Sequence, residues 1–212
     1  MEKITVLVAE HHRLLRETWK AFLEKDGKIA VTGEATDCEE VVLQVRQLLP
    51  DVMLFDLHLP PSNWQLALQS VAVVSPQTKV VCISNHNLTA LAARVLDAGA
   101  LGFITRNSEK AELITSILQA SGGQQFICKE TTEAFGLEGP YRMRKVKSKR
   151  YFLTRRQKEV VELVKAGYSS REIANKIFVS EKTVEIHRFN ILRKLSLKNT
   201  VSLMNYVSLY GV

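Results

Sequence analysis

Four short stretches of this 212-residue chain carry residue types that could act together. Glu10, His11 and His12 close the first apolar run in "VLVAEHHRLLRE", Asp56 closes "VMLFD", Ser84 and Asn85 end "KVVCISN", and Arg106 follows "GFIT". An acid beside an imidazole, a second acid, a hydroxyl and a cation could hold a metal or pair charges. Histidine mixed with carboxylates suits zinc or iron better than magnesium. Each residue alone is also what an ordinary solvated loop contains. The case for a site rests on whether the fold brings them to one place.

The elements that must position them follow from hydropathy. Residues 4–9, 29–35, 52–56, 79–84 and 102–105 are short, β-branched and nearly continuously apolar, as expected of strands covered on both faces. Amphipathic stretches at about 13–25, 37–48, 63–74, 87–98 and 108–121 separate them. Such alternation predicts an α/β, doubly wound, five-stranded parallel sheet of the flavodoxin-like kind, with helices on both faces. In sheets of this kind the working groups collect at the C-terminal ends of the strands. Glu10, His11, Asp56, Ser84 and Arg106 all fall there.

Composition separates two units. With 46% apolar and 24% charged residues the chain is of globular type. Through Phe135 there are 12 Lys and Arg against 16 Asp and Glu, a net of −4, which leaves +11 for the remainder. A basic C-terminal half points to a polyanionic partner, nucleic acid or a lipid surface. No stretch reaches the roughly 18 apolar residues of a membrane span, and the N-terminus lacks the pattern of a signal peptide, so a cytoplasmic protein without a membrane partner is expected. Cys38, Cys82 and Cys128 are odd in number and lack the close pairing of zinc or redox motifs. They are expected to be reduced and structural.

Residues 126–150 are expected to form a basic linker between a first domain at 1–125 and a second at 151–212. "GLEGPYRMRKVKSKR" (136–150) combines Gly, Pro and a dense run of cations with little apolar surface. The last 60 or so residues show four helical patterns and no strand, predicting a separate all-α four-helix domain. Thr154 is the expected N-cap of its first helix and Gly167 the stop. A short helix in "SSREIANKIF" and a longer basic one in "VSEKTVEIHRFNILRKLS", capped by Ser180, read as a helix-turn-helix. Val184, Ile191, Leu192 and Leu195 are its candidate core residues.

The motifs together resemble the NarL/FixJ type of response regulator. "PDVMLFDLHLP" resembles the phosphoacceptor segment of a receiver domain, "VVCISNH" its small hydroxyl residue, and "DAGALGFITRN" the segment with the switch aromatic and the lysine. "LTRRQKEVVELVKAGYSSREIANKIFVSEKTVEIHRFNILRKL" resembles the LuxR-type helix-turn-helix domain almost end to end. The resemblance makes Asp56 the candidate phosphoacceptor, Ser84 the hydroxyl and Phe103 the switch aromatic. It implies a groove-facing surface at Thr183, Glu185, Ile186, His187 and Phe189, with Lys182, Arg188, Arg193 and Lys194 on or near phosphates. It also implies double-stranded DNA and a homodimer as partners, dimer contacts through Val201, Met204 and Val207 of the last helix, and a histidine kinase upstream.

Three departures bear on function. Two acids normally follow the first strand and hold Mg2+; here they are Glu10 and His11, and imidazole is a poor Mg2+ ligand. Arg106 stands where the family has lysine, a permanently charged planar fork suited to pairing a carboxylate. Glu185 and Phe189 replace lysines common in the recognition helix, which alters the expected base preference. The leading expectation is a DNA-binding transcription regulator whose receiver works weakly or independently of phosphorylation, with no cofactor required. A conventional switch with Mg2+ held by Glu10 and Asp56 is the alternative, and an adaptor that does not bind DNA is a further one. An enzyme is not expected, because "DLHLP" lacks a second acid two residues after Asp56 and no substrate cap is apparent.

Overall fold

The structure is a computed structural model and describes residues 2–61, 63–134 and 153–211. Two compact units divide the chain, Met1–Asn87 with Val95–Val146 and Leu88–Arg94 with Lys147–Val212.

The first unit is built on a parallel sheet of β1 (Ile4–Ala9), β2 (Ile29–Ala35), β3 (Val52–Asp56), β4 (Lys79–Ser84), β5 (Gly102–Thr105) and β6 (Phe126–Ile127) in the order β2-β1-β3-β4-β5-β6. Between residues 2 and 134 the helices in chain order are α1 (Arg13–Leu23), α2 (Cys38–Leu48), α3 (Trp64–Val74), α4 (Thr89–Asp97), which the division into units crosses at Arg94, α5 (Lys110–Ser121) and α6 (Lys129–Ala134). Successive strand side chains point to opposite faces. Val6, Val8, Leu54, Val81, Ile83 and Ile104 form one core with Leu23, Leu113 and Ile117 of α1 and α5. The alternate residues Leu7, Met53, Phe55, Cys82 and Phe103 are equally sealed, which is why these strands read as unbroken apolar runs.

The five expected strands are present, and a sixth corrects the five-stranded expectation. Phe126 N donates to Leu101 O at 2.8 Å and Cys128 N to Phe103 O at 3.0 Å, adding two residues to the free edge of β5. Two residues are too few to show alternation, so this strand leaves no periodic signal. With α6 it fills positions 126–134 of the expected linker. The remainder of that linker, 135–150, lies outside the described residues.

The second unit contains α7 (Arg155–Lys165), α8 (Ser170–Lys176), α9 (Glu181–Lys194) and α10 (Thr200–Tyr210). Each begins at a side-chain cap: Thr154, Ser169, Ser180 and Asn199 accept from backbone N–H groups of the first turns. Gly167 ends the turn after α7 at φ +88°, a conformation that favours glycine. Val160, Val161, Ile173, Val184 and Ile191 are fully buried. Leu192, expected in the core, is half-buried, while Leu195 is sealed.

Candidate functional site

Strand register sets the first site. Ala9 pairs with Phe55, Asp56 with Ile83 and Ser84 with Thr105, so the strands end nearly level. Backbone bonds fix the exits: Glu10 N to Ala35 O at 3.0 Å, Leu57 N to Ile83 O at 3.0 Å, and Arg106 N to Ser84 O at 2.9 Å. Glu10 and Asp56 are both completely buried.

A single nitrogen joins the two acids. Arg106 Nη2 donates to Glu10 Oε2 at 2.6 Å and to Asp56 Oδ2 at 2.7 Å. The expectation of a fork pairing one carboxylate through two bonds is therefore met differently: one amino group bridges two carboxylates. The other oxygens are also engaged. His12 contributes both its backbone N–H and Nδ1 to Glu10 Oε1, each at 2.8 Å. His58 N donates to Asp56 Oδ1 at 3.2 Å, and His58 Nδ1 lies 3.5 Å from the same oxygen. Burial pushes the Asp56 carboxyl up, but hydrogen bonding from His58 and the Arg106 charge outweigh it and hold the group below its ordinary value.

His11 Nδ1 lies 3.4 Å from Glu10 Oε1 and 3.8 Å from Asp56 Oδ2, beside the pair rather than between its members. Its ring tilts against that of His12 at 3.7 Å between centroids. Glu10, His11 and His12 place potential ligand atoms within 4.8 Å of one another. This donor set does not fit Mg2+, which requires a nearly octahedral shell of oxygens. All four oxygens of Glu10 and Asp56 already have partners, and a cation reaching both acids must displace the guanidinium.

Ser84 is at the site's edge but does not join the charge cluster. Its hydroxyl donates to His86 O and accepts from His86 N, both at 3.0 Å. Burial, with the neighbouring charge of His58, pushes the His86 imidazole below its ordinary value. Phe103 is fully buried inside β5. Sequence reasoning passed over His58 and Glu130. His58 stands two residues after Asp56, a spacing that lets a loop residue fold back on a strand-end acid. Glu130 accepts from Thr105 Oγ1 at 2.6 Å, but it comes from α6, a helix too short to show a periodic pattern.

On α9 the expected DNA-facing residues divide into two groups. Lys182, Glu185, Ile186, Phe189 and Arg193 are exposed, with Ile186 at 52% and Phe189 at 64%, while Thr183 and His187 are half-buried. The Arg193 guanidinium lies 5.8 Å from the Phe189 ring centroid. Arg188 and Lys194 are tied inward instead. Arg188 donates to Ser170 Oγ at 2.9 Å and Thr200 Oγ1 at 3.0 Å, and Lys194 Nζ donates to Gln157 Oε1 at 2.9 Å. Of the residues expected at a dimer contact, Val201 is 70% exposed and Met204 half-buried, but Val207 is only 4% exposed.

No helix among the described residues is long and apolar enough to cross a membrane. The response regulator receiver domain model matches residues 6–118, and the model of bacterial regulatory proteins of the luxR family matches 152–207. Oxygen regulatory protein NreC of Staphylococcus carnosus (strain TM300) is 30% identical over 215 residues, covering 95% of each chain. NreC of Staphylococcus aureus (strain MRSA252) is 29% identical with the same coverage. The solved structure of RcsB from Salmonella enterica serovar Typhimurium, bound to promoter P1flhDC in the presence of phosphomimetic BeF3-, aligns with a TM-score of 0.82 at 21% identity, covering 98% of each chain. A structure of two RcsB dimers bound to two parallel DNAs aligns with a TM-score of 0.79 at 21% identity, covering 98% of this chain and 99% of that one. At such identities the solved structures speak for the fold, whereas the two domain matches and the full-length likeness to NreC speak for descent. The chain therefore belongs to the bacterial two-component response regulators, in the family that joins a receiver domain to a LuxR-type helix-turn-helix DNA-binding domain.

Proposed function

We propose that this chain is a cytoplasmic transcription regulator, without enzymatic activity, whose receiver is held by Arg106 in an arrangement that does not depend on phosphorylation of Asp56. The observation that carries this reading is the Arg106 Nη2 bridge to Glu10 and Asp56. A fixed cation already neutralises the acceptor carboxylate, and the acid oxygens that would hold Mg2+ are occupied by protein donors. Phosphoryl transfer to Asp56 would require the guanidinium to leave a buried position beside two anions, which is costly in a medium of low dielectric. On this reading a histidine kinase is not needed for DNA binding.

The α9 surface supplies the reader. Thr183, Glu185, Ile186, His187 and Phe189 face the groove, while Lys182 and Arg193 neutralise phosphates. A glutamate accepts from cytosine N4 and a phenylalanine packs on a thymine methyl, so the preferred sites differ from those read by lysine at the same positions. Two copies, joined through the exposed part of α10 at Val201 and Met204, would bind half-sites about one helical turn apart. The structure of two RcsB dimers bound to two parallel DNAs supports DNA binding as a dimer.

The test is intact-protein mass after incubation with acetyl phosphate, with and without Mg2+, alongside duplex binding by Asp56→Ala on sites selected from a random pool. The expected result is no phosphate adduct and equal DNA affinity for the two proteins. A Mg2+-dependent adduct that disappears in Asp56→Ala would overturn the proposal.

A further inference from the structure

Two adjacent imidazoles turn toward one oxygen of Glu10. His12 Nδ1 lies 2.8 Å and His11 Nδ1 3.4 Å from Glu10 Oε1, and the three side chains place one ligand atom each within 4.8 Å of one another. Zinc bonds of about 2.0–2.1 Å in a tetrahedron set nitrogen and oxygen ligands about 3.3 Å apart, close to the His11 spacing. His12 Nδ1 needs to open by only about 0.5 Å to match that tetrahedral edge. His11 Nδ1 is buried and has no hydrogen-bond partner among the described residues. The acceptors near it are taken: Glu10 Oε1 is bonded by both nitrogens of His12, and Asp56 Oδ2, 3.8 Å away, accepts from Arg106. A buried ring nitrogen without a partner is uncommon, and a cation that takes its lone pair would satisfy it. His12 is the N-cap residue of α1 but makes no side-chain cap bond, so its ring serves Glu10 and not the helix.

We infer that Glu10 Oε1, His11 Nδ1 and His12 Nδ1 bind a late first-row divalent cation of the zinc class, with a fourth position open to water. Two imidazoles and a carboxylate form a donor set that suits zinc and its neighbours and not magnesium. The ion needs no void of its own. It replaces the proton shared by His12 Nδ1 and Glu10 Oε1, which passes to water, while each imidazole keeps its proton on Nε2. The side chains of His11 and His12 are 33% and 54% exposed, which leaves a path from solvent. Outer bonds fix the ligands: Arg106 Nη2 holds Glu10 Oε2, and Arg16 Nη1 donates to Glu10 O at 2.8 Å. The cation uses Oε1 and the guanidinium uses Oε2, so both can be bound at once, and the two carboxylates outweigh the single guanidinium charge. A cation held between Glu10 and Asp56 has no such arrangement open to it. Binding at this site does not rest on the proposed function.

The experiment is isothermal titration calorimetry of the full chain, free of any polyhistidine tag, with ZnCl2. One Zn2+ per chain is expected, with a Kd below about 10 μM. About 10 mM Mg2+ should leave that affinity within about threefold, since Mg2+ requires a shell of oxygens. His11→Ala and His12→Ala, at positions that reach solvent, should each weaken Zn2+ by about tenfold or more, with His11→Gln and His12→Gln as a second pair should either alanine variant lose its circular dichroism spectrum. His187→Ala, on α9, should bind as the parent chain does. Asp56→Asn separates this site from the acceptor pocket: it should keep the affinity within about threefold, because Asp56 supplies no ligand. The inference is overturned if Zn2+ gives no saturable heat up to about 1 mM, a weak-binding limit. It is also overturned if a folded variant at either histidine binds as tightly as the parent chain, or if Asp56→Asn loses as much affinity as the histidine variants, which would put the ion between the two acids. Zinc binding can fail while Asp56→Ala still binds DNA, and the reverse, so the two proposals fail separately.

Discussion

Replacing Arg106 with alanine removes the guanidinium hydrogen-bonded to both buried acids. Its Nη2 lies 2.6 Å from one carboxylate oxygen and 2.7 Å from the other, so the two oxygens are roughly 5 Å apart or less, where unit charges repel by about 3 kcal/mol at an effective dielectric near 20. That agrees with the loss of about 3–5 kcal/mol seen when one partner of a buried pair is removed. The loss must depend on pH. In the intact chain the Asp56 carboxyl is held below its ordinary value, so its contribution is complete above about pH 3.9 and is lost as pH falls through the folded value. In the variant, burial still pushes that carboxyl up but the guanidinium no longer opposes it. Hydrogen bonding from His58 still opposes burial, so the folded value rises and the stability this group contributes at neutral pH shrinks. Urea unfolding followed by fluorescence reads this directly, because the two tryptophans of the chain, Trp19 and Trp64, both belong to the first unit. The expected result is a lower midpoint with an unchanged slope and a deficit larger at pH 7 than at pH 3. A deficit under about 1 kcal/mol that is equal at both pH values would refute the pairing argument.

Other substitutions test the remaining parts. Arg188→Ala should lower the melting temperature of the second unit by a loss of about 1–2 kcal/mol, since it removes two charged hydrogen bonds, to Ser170 and Thr200; a change in DNA affinity without loss of stability would show that Arg188 serves the phosphates instead. Phe178 adopts φ +55° while 93% exposed, so Phe178→Asn should stabilise by roughly 0.5–1 kcal/mol in thermal denaturation followed by circular dichroism. Burial pushes the Cys38 thiol up to about 11 and Cys82 higher still, so neither should be modified by iodoacetamide at pH 8 in the folded chain, as read by intact mass. His11→Asp combined with Arg106→Lys should create Mg2+ binding measurable by calorimetry, with neither single substitution sufficient.

The sheet was legible because strands sealed on both faces cannot hide their composition. The expected spans at 4–9, 29–35, 52–56, 79–84 and 102–105 coincide with the first five strands, and the level ends of those strands bring Glu10, Asp56 and Arg106 into contact. β6 was not legible, because a two-residue edge strand is stabilised by its bonds to β5 and leaves no pattern of its own. The partners of the strand-end acids were only partly legible. Their residue types fall at readable positions, but spacing does not say that Ser84 bonds to its own loop, that His58 turns back to Asp56, or that one arginine nitrogen serves two acids. On α9 the limit is similar: helical periodicity puts Arg188 and Lys194 on a polar face, while their tethers to Ser170, Thr200 and Gln157 depend on helices brought together only by the fold.

The departures at positions 11 and 106 make sense as one change. A third carboxylate at position 11 would set three buried or half-buried anions around one guanidinium, and the repulsion would favour an external cation of higher charge. With an imidazole there, Arg106 faces two anions, and those anions lie close enough to share a single nitrogen. His12 and His58 then complete the oxygens that Arg106 leaves open. The guanidinium suits this role better than an ammonium because it stays charged in a buried site and offers further donors after two are used. One of those donors, Nε, is buried without a hydrogen-bond partner among the described residues.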